Sequence, residues 1–343
     1  MNKRVTLNDI AKAAGLSKGA VSYAMNGKSG VSAETRERVM AIAGALDWKP
    51  SHAARSLSFS KADSIGLIIA RPAQMLGSEP FYMEFIAGLE EVLASEKMSL
   101  TLHLVASKEQ ELVMWDKWSR SNQIDGAIIV DLEQDDERPA FLRQLGLPCV
   151  LVCGPDSSQS MTHVWSDDCQ SMAEAVRYLF ALGHRRIARV GGIKTLATTH
   201  GRDEAFRGAV SDLGLEEFEI VWTDFSGEKG ASATRFFLSL ASPPTAIIFD
   251  NDIMAVAGLG VASEMSVSVP GNLSLVAWDD STLCQVTHPS LSAVQRDVSL
   301  LGATAARTLL ALVRGEDASS EELPRPVMVP RGSTGPAPNP TAV

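Results

Sequence analysis

Asp167-Asp168 and Asp279-Asp280, the glycine pair Gly191-Gly192 and the close cysteines Cys149 and Cys153 are the residues of this 343-residue chain whose types could do chemistry. Adjacent carboxylates do not by themselves make an acid–base couple, which needs two carboxyls held in different environments. Gly191-Gly192 follows an apolar run but lacks the spacing of a dinucleotide fingerprint, and no phosphate-loop motif occurs. In a strand Cys149 and Cys153 would point to one face. They read either as a redox or metal pair or as buried thiols acting as small apolar groups, and no second Cys or His pair completes a zinc set. His52, His103, His163, His184, His200 and His288 are scattered. The pattern argues against an enzyme and predicts neither metal nor cofactor.

The elements that carry these residues belong to an ordinary globular chain, 45% hydrophobic and 21% charged. No apolar run is long enough to span a bilayer, and the basic residues Lys3 and Arg4 have no apolar stretch behind them, so neither a membrane nor a secretory signal is expected and a cytoplasmic address is. Charge is divided unevenly. The overall charge is −10, yet residues 1–60 hold nine basic side chains against four acidic ones, leaving +5 there and −15 in the remainder. A basic head on an acidic body reads as a phosphate-contacting module joined to a separate one.

In the head, Thr6 is placed to cap a helix with Asp9 reaching back. Leu7, Ile10, Ala11 and Ala14 share one face, and Gly15 supplies a left-handed end. Ser17 caps a second helix, Lys18–Met25, with Val21, Ala24 and Met25 turned to a small core and Lys18, Gly19, Ser22 and Tyr23 turned outward. A third helix follows the Ser32 cap, with Val39, Ile42 and Leu46 as its apolar stripe. Helix, Gly-Leu-Ser turn and second helix form a helix-turn-helix, whose second helix enters the major groove. The competing reading is a three-helix bundle without a DNA role.

The segments VTLNDIAKAAGLSKGAVSYAMNG, VSAETRERV and KPSHAARSL resemble the LacI/GalR family of bacterial transcription regulators. The similarity continues through SIGLIIA, IDGAIIV, LGHRRIARVGG, AIIFDNDIMA and LVAWDD, in order and over nearly the whole chain. The resemblance implies operator contacts from Thr6, Ser17, Lys18, Gly19, Ala20, Ser22, Tyr23 and Asn26. It also implies a hinge segment that folds on DNA, with His52, Ala54 and Arg55 at the minor groove and Leu57 wedged into a base step, where apolar side chains kink the duplex. Three positions depart from the family pattern: Ala20 stands for the common Thr, Tyr23 for the common Arg and Ser51 for the common Asn.

From residue 64 apolar runs alternate with helical patterns: Ile65–Ile69, Leu100/Leu102/Leu104, Ala127–Val130 and Val150–Val152, then Ile187–Val190, Ala246–Phe249 and Leu273–Val276. Two series of βα units predict an α/β core of two doubly wound parallel-sheet subdomains behind an all-α headpiece. The family resemblance implies the periplasmic-binding-protein-like arrangement. The expected boundaries are a helix-turn-helix domain at 1–48, a hinge at 49–61 and a core at 62–330. Within the core, subdomain 1 is 62–161 with 292–330 and subdomain 2 is 162–291. The tail at 331–343, rich in Gly, Pro, Ser and Thr, reads as disordered. It has no apolar heptads for a coiled coil, so a homodimer is expected.

Open α/β sheets bind ligands beyond the C-terminal ends of their strands. The resemblance implies an effector cleft there with Arg202, Asn251 and Asp279 as polar contacts, Thr198 one turn before Arg202, and Phe81, Tyr82 and Phe225 as aromatic walls. Arg, Asn and Asp suit vicinal hydroxyls, and aromatic faces suit a sugar ring. The plainer readings are that Asn251 and Asp279 cap the following helices, that Arg202 pairs with Asp203 or Glu204 on the surface, and that the aromatics are core. Cys153 stands where several sugar-binding relatives carry an acid. The implied function is repression of transcription by operator binding under control of a sugar or sugar derivative. The alternatives are a nucleoside or purine effector, or activation. A transport binding protein, the other class with this core, would need an export signal and no DNA headpiece.

Overall fold

The computed structural model describes residues 5–25, 29–46, 48, 61–77, 79–152, 161–216 and 219–338. Asn26, Ser51, His52, Ala54, Arg55, Leu57 and Cys153 lie outside them. The chain divides into two compact units, Met1–Asp63 with Trp118–Asp125, and Ser64–Lys117 with Gly126–Val343.

The first unit holds the headpiece helices α1 (Leu7–Ala14), α2 (Lys18–Met25) and α3 (Ala33–Ala45). The Asp9 carboxylate accepts from the Thr6 N–H at 2.9 Å and from its hydroxyl at 2.6 Å, fixing the start of α1. Gly15 ends it at φ 63°, a conformation that a side chain disfavours. Ser17 Oγ accepts from the Ala20 N–H and opens α2, and Ser32 Oγ accepts from the Thr35 N–H and opens α3. Ile10, Ala11, Ala14, Val21, Ala24, Val39 and Ala43 are the buried core. Leu46 is not part of it, at 38% exposure. Ala43, one turn past Val39 on the same face, takes the buried place instead.

The second unit is built on two six-stranded sheets. The first contains β1 (Ser64–Ile69), β2 (Ser99–Leu104), β3 (Gly126–Ile129), β4 (Cys149–Val152), β5 (His163–Trp165) and β11 (Glu321–Glu322), ordered β11-β5-β4-β3-β1-β2 and parallel throughout. The second contains β6 (Ile187–Gly191), β7 (Val221–Trp222), β8 (Ala246–Phe249), β9 (Ser274–Asp279), β10 (Ser292–Gln295) and β12 (Val327–Val329), ordered β12-β10-β9-β8-β6-β7. Only its β12–β10 pair is antiparallel. The inner strands β1, β3, β4, β6 and β8 are buried along their whole length, as continuous apolar runs between helical layers should be. Leu102 is 37% exposed because β2 is an edge strand.

The helices of this unit are α4 (Ala73–Leu76), α5 (Pro80–Ser95), α6 (Lys108–Arg120), α7 (Arg138–Gln144), α8 (Asp168–Ala181), α9 (Ala197–Asp212), α10 (Gly227–Leu238), α11 (Asp252–Glu264), α12 (Thr282–Val286) and α13 (Val298–Val313). Phe85, Leu89 and Leu93 of α5 pack with Leu301, Ala305 and Leu309 of α13 on the first sheet. Their contact depends on two glycines. A Cβ on Gly88 would lie 1.9 Å from the Ser299 carbonyl oxygen, and one on Gly302 would lie 2.2 Å from that of Phe85. Backbone cannot give way as a side-chain tip can, so Gly88→Ala is expected to destabilise the protein by about 2 kcal/mol through overpacking. An unchanged urea midpoint would show that the helices can part without loss.

The sheets divide the chain elsewhere than expected. β5 belongs to the first sheet, whereas β10 and β12 belong to the second, so the chain crosses three times: after β5, after β10 and after β11. Ala293 and Val294 of β10 are buried in the second subdomain's cores, and an apolar run does not say which sheet receives it. The tail from Arg331, expected to be disordered, is ordered through Pro338. Arg331 pairs with Asp280 at 2.5 Å, buried Ser333 exchanges backbone bonds with Leu275 and Ser290, and the Ala337 N–H reaches the Leu182 carbonyl at 2.9 Å. Composition alone does not reveal such backbone pairing.

Candidate functional site

A cavity of about 560 Å³ lies between the two sheets, within the range of roughly 300–1,000 Å³ typical of small-molecule sites. Phe81, Tyr82, Thr198, Arg202, Phe225 and Asp279 line it. Arg71, Glu79, Asp131, Trp165, Asp168, Asp250 and Arg296 line it as well and were not singled out from sequence as contacts. Most of these polar residues follow the C-terminal end of a strand: Arg71 follows β1, Asp131 follows β3, Asp250 follows β8 and Arg296 follows β10. That rule was the signal that would have found them.

Arg202 does not pair with Asp203 or Glu204. Its guanidinium is buried, forms an ion pair with Asp168 at the start of α8, reaches Asp250 Oδ1 at 3.3 Å, and stacks 4.0 Å over the Trp278 ring. Asp203 instead accepts from Arg189 Nε at 2.8 Å and from Trp222 Nε1 at 2.7 Å. Arg189, fully buried inside β6, also grips both oxygens of Asp250, at 2.8 and 3.0 Å. Burial pushes the Asp250 and Asp168 carboxyls up, but the neighbouring guanidiniums outweigh it and hold both below the usual carboxylate range.

Asp279 sits at φ 78° and accepts from Arg296 Nε at 3.0 Å and Nη2 at 2.6 Å. It caps nothing, since Ser281 caps α12. Asn251 behaves as the plainer reading has it. Its Oδ1 accepts from the Met254 N–H at 2.9 Å and caps α11, its Nδ2 donates to the Phe225 carbonyl at 3.0 Å, and it is not among the lining residues. It therefore positions Phe225, whose backbone is left-handed at φ 69°. Gly192 makes room for that ring, because a Cβ there would lie 2.0 Å from Phe225 Cζ, and its N–H donates to Asp250 at 2.8 Å. The glycine pair is thus a packing feature of the cavity wall.

On the first subdomain Arg71 Nε donates to Asp131 Oδ2 at 2.9 Å, the Tyr82 hydroxyl donates to the same oxygen at 2.5 Å, and the guanidinium lies 4.8 Å from the Phe225 ring. Across the cleft the Thr195 hydroxyl donates to Glu133 Oε1 at 2.7 Å and the Ala197 N–H to the Leu132 carbonyl at 2.8 Å. Burial pushes the Glu79 carboxyl up to about 8, with Arg71 opposing and Asp131, Asp279 and Asp252 adding to the rise. The folded chain therefore holds a proton between about pH 4.5 and 8 that the unfolded chain releases, and this group's contribution to stability falls as pH rises through that window. Glu79→Gln abolishes this dependence. Relative to wild type it is expected to gain on the order of 4 kcal/mol between pH 5 and 8.5, read as the difference between two urea denaturation series. A difference constant with pH would place an ionised Glu79 in the folded state.

In the headpiece, Ser17, Lys18, Gly19 and Tyr23 are exposed, with Tyr23 at 48%, while Ala20 and Ser22 are half-buried along α2. Thr6 caps α1. Cys149 is buried, and its thiol is pushed up to about 12 by that burial, so it packs as an apolar group. No group of three or more His, Cys, Asp or Glu arranged to hold a metal occurs among the described residues, and no helix among them is long and apolar enough to cross a membrane.

Two family models match the chain: bacterial regulatory proteins of the lacI family over residues 6–51, and the periplasmic binding protein-like domain over residues 176–334. The HTH-type transcriptional regulator CelR of Thermobifida fusca is 30% identical over 319 residues, covering 92% of this chain and 93% of the relative. A CelR–cellobiose complex superposes with a TM-score of 0.73 at 27% identity, over 96% of this chain and all of that one. The lac repressor dimer bound to operator and the anti-inducer ONPF superposes with a TM-score of 0.82 at 25% identity, over 97% of this chain and all of that one. A helix-turn-helix headpiece carried by two facing α/β sheets, matched along almost its whole length by such relatives, belongs to the LacI family of bacterial regulatory proteins, and this chain is a DNA-binding transcription regulator.

Proposed function

We propose that this regulator is a repressor that binds a pseudo-palindromic operator as a homodimer, and that a neutral carbohydrate in the cleft sets its operator affinity. The observation that carries the effector class is the charge balance of the cavity. Each arginine lining it already faces a carboxylate: Arg71 faces Asp131, Arg202 faces Asp168 and Asp250, and Arg296 faces Asp279. Among the described lining residues every arginine charge is already offset by a carboxylate, which disfavours a phosphate or carboxylate ligand, while the paired carboxylates and guanidiniums still offer acceptors and donors to hydroxyls. Phe81 and Phe225 supply ring faces for the apolar side of a sugar. The cellobiose complex of a relative supports the same class.

On DNA, α2 of each protomer enters a major groove, with Lys18 and Tyr23 outermost and Ser22 beside them. Leu57 is the proposed minor-groove wedge. Effector in the cleft favours one relation of the two subdomains and so biases how the paired hinge segments fold on the operator.

The test is thermal unfolding of the full chain with neutral mono- and disaccharides, sugar phosphates, nucleosides and purines. A neutral sugar at about 100 times its dissociation constant stabilises by roughly 2.7 kcal/mol, and the sugar phosphates, nucleosides and purines leave the transition where it was. Stabilisation by a sugar phosphate or a purine, with none by neutral sugars, would refute the reading.

A further inference from the structure

The first-subdomain wall of the cavity holds polar atoms that the protein leaves unused. Arg71 Nη1 and Glu79 Oε2 are buried without a hydrogen-bond partner among the described residues, and both residues line the cavity. Arg71 is 5% exposed and Glu79 8%. A buried donor or acceptor left unpaired is unfavourable, so a ligand that completes both gains what the empty wall lacks.

The two side chains are held in place by their other contacts. Arg71 is fixed through Nε by Asp131, which Tyr82 also holds, and by the Phe225 ring, which leaves Nη1 over as a donor. Glu79 stands at the N-cap of α5 but makes no side-chain cap bond, so its carboxyl is not consumed by the helix. Burial among other carboxylates keeps it protonated near neutrality, and a carboxylic acid both donates and accepts. An anionic group here would meet Asp131 beside Arg71, and a cationic group would meet Arg71 itself. A neutral pair of hydroxyls fits one donor and one donor–acceptor without opposition.

This wall belongs to the first subdomain, whereas Arg202 with Asp168 and Asp250, and Arg296 with Asp279, form polar sets at the second sheet's side of the cavity. Phe81 and Phe225 supply apolar faces in the same cavity. A volume of about 560 Å³ exceeds what one hexose ring fills. We propose that Arg71 and Glu79 form a second polar subsite for the hydroxyls of a second sugar ring, so that the effector is a disaccharide or longer rather than a monosaccharide. The inference rests on the carbohydrate reading above and names which carbohydrates qualify. A site built to hydrogen-bond a hydroxyl rejects ligands that lack it strongly, so Glu79 sets the preference for two rings over one.

The test is calorimetric titration of the full chain with cellobiose, maltose, trehalose, lactose and melibiose, and with glucose and galactose as their component rings. Wild type is expected to bind one of the disaccharides at least tenfold more tightly than either monosaccharide. Glu79→Ala is expected to reduce that ratio tenfold, by weakening disaccharide binding more than monosaccharide binding. Glu79→Gln, which keeps a donor and an acceptor, retains most of the ratio and serves as the folding control. Monosaccharide binding as tight as disaccharide binding in wild type, or equal loss of both ligands in Glu79→Ala, overturns the subsite and leaves the carbohydrate reading standing. No heat from any of the seven sugars overturns both.

Discussion

Arg189→Ala is expected to destabilise the second subdomain by about 3–5 kcal/mol, the range for removing one partner of a buried charge set. Arg189 is fully buried and binds Asp203 and both oxygens of Asp250. Without it Asp250, itself buried, retains Arg202 and the Gly192 N–H, which is too little for an ionised carboxylate away from water. Because Asp250 also holds Arg202 and the Gly192 turn under Phe225, the site should loosen along with the fold. Urea unfolding of wild type and variant measures this. A loss below about 1 kcal/mol would mean that the network is solvated and does not organise the cavity.

Arg202→Ala carries the second large effect, on the effector rather than on the fold alone. A hydrogen bond to a charged group contributes about 1.5–3 kcal/mol, so the variant should bind effector roughly ten- to a hundredfold more weakly. Arg202 also neutralises Asp168 and stacks on Trp278, so some stability is lost with it. Arg202→Lys, which keeps the charge but not the two-pronged geometry, separates the two contributions. It should recover stability more than effector affinity. The headpiece core of Ile10, Val21 and Val39 is made within its own helices, so operator affinity without effector should survive in both variants. Effector affinity unchanged in Arg202→Ala would move the binding site elsewhere.

The fold was legible because its signals are local and repeated. Thr6 with Asp9, Gly15, Ser17 and Ser32 mark the headpiece helices one by one, and uninterrupted runs such as Ile65–Ile69 and Ala246–Phe249 mark strands buried on both faces. The sheet that receives β10 or β12 was not legible, because an apolar run does not name its partner strand: β10 pairs with β9 and β12 with β10. The order in the tail was hidden for the same reason. Ser333 and Ala337 are held by backbone groups of Leu275, Ser290 and Leu182, which composition does not encode.

The site was half legible. Arg202 and Asp279 stand where the family pattern puts them and reach the cavity, whereas Asn251 at an equally recognisable position is used up in capping α11 and holding Phe225. Arg189 sits within the apolar run Ile187–Val190, where a charge looks like a solvent-facing residue, and only its buried partners Asp203 and Asp250 show otherwise. Arg71, Asp131 and Arg296 follow strand ends and were accessible to topology, but their mutual pairing is not, because the charge balance of the cavity arises from residues up to 60 positions apart, as in Arg71 with Asp131.

The claim that a ligand in the cleft sets DNA affinity is tested most directly by fluorescence anisotropy on an operator duplex selected from a random pool. The titration is run with and without the sugar that shifts thermal unfolding, for wild type and Arg202→Ala. A coupling of about 1–3 kcal/mol, or roughly 5- to 150-fold in operator affinity, is expected in wild type and, at a sugar concentration that just saturates wild type, should be much reduced in the variant. Superimposable wild-type isotherms with and without saturating sugar would contradict it.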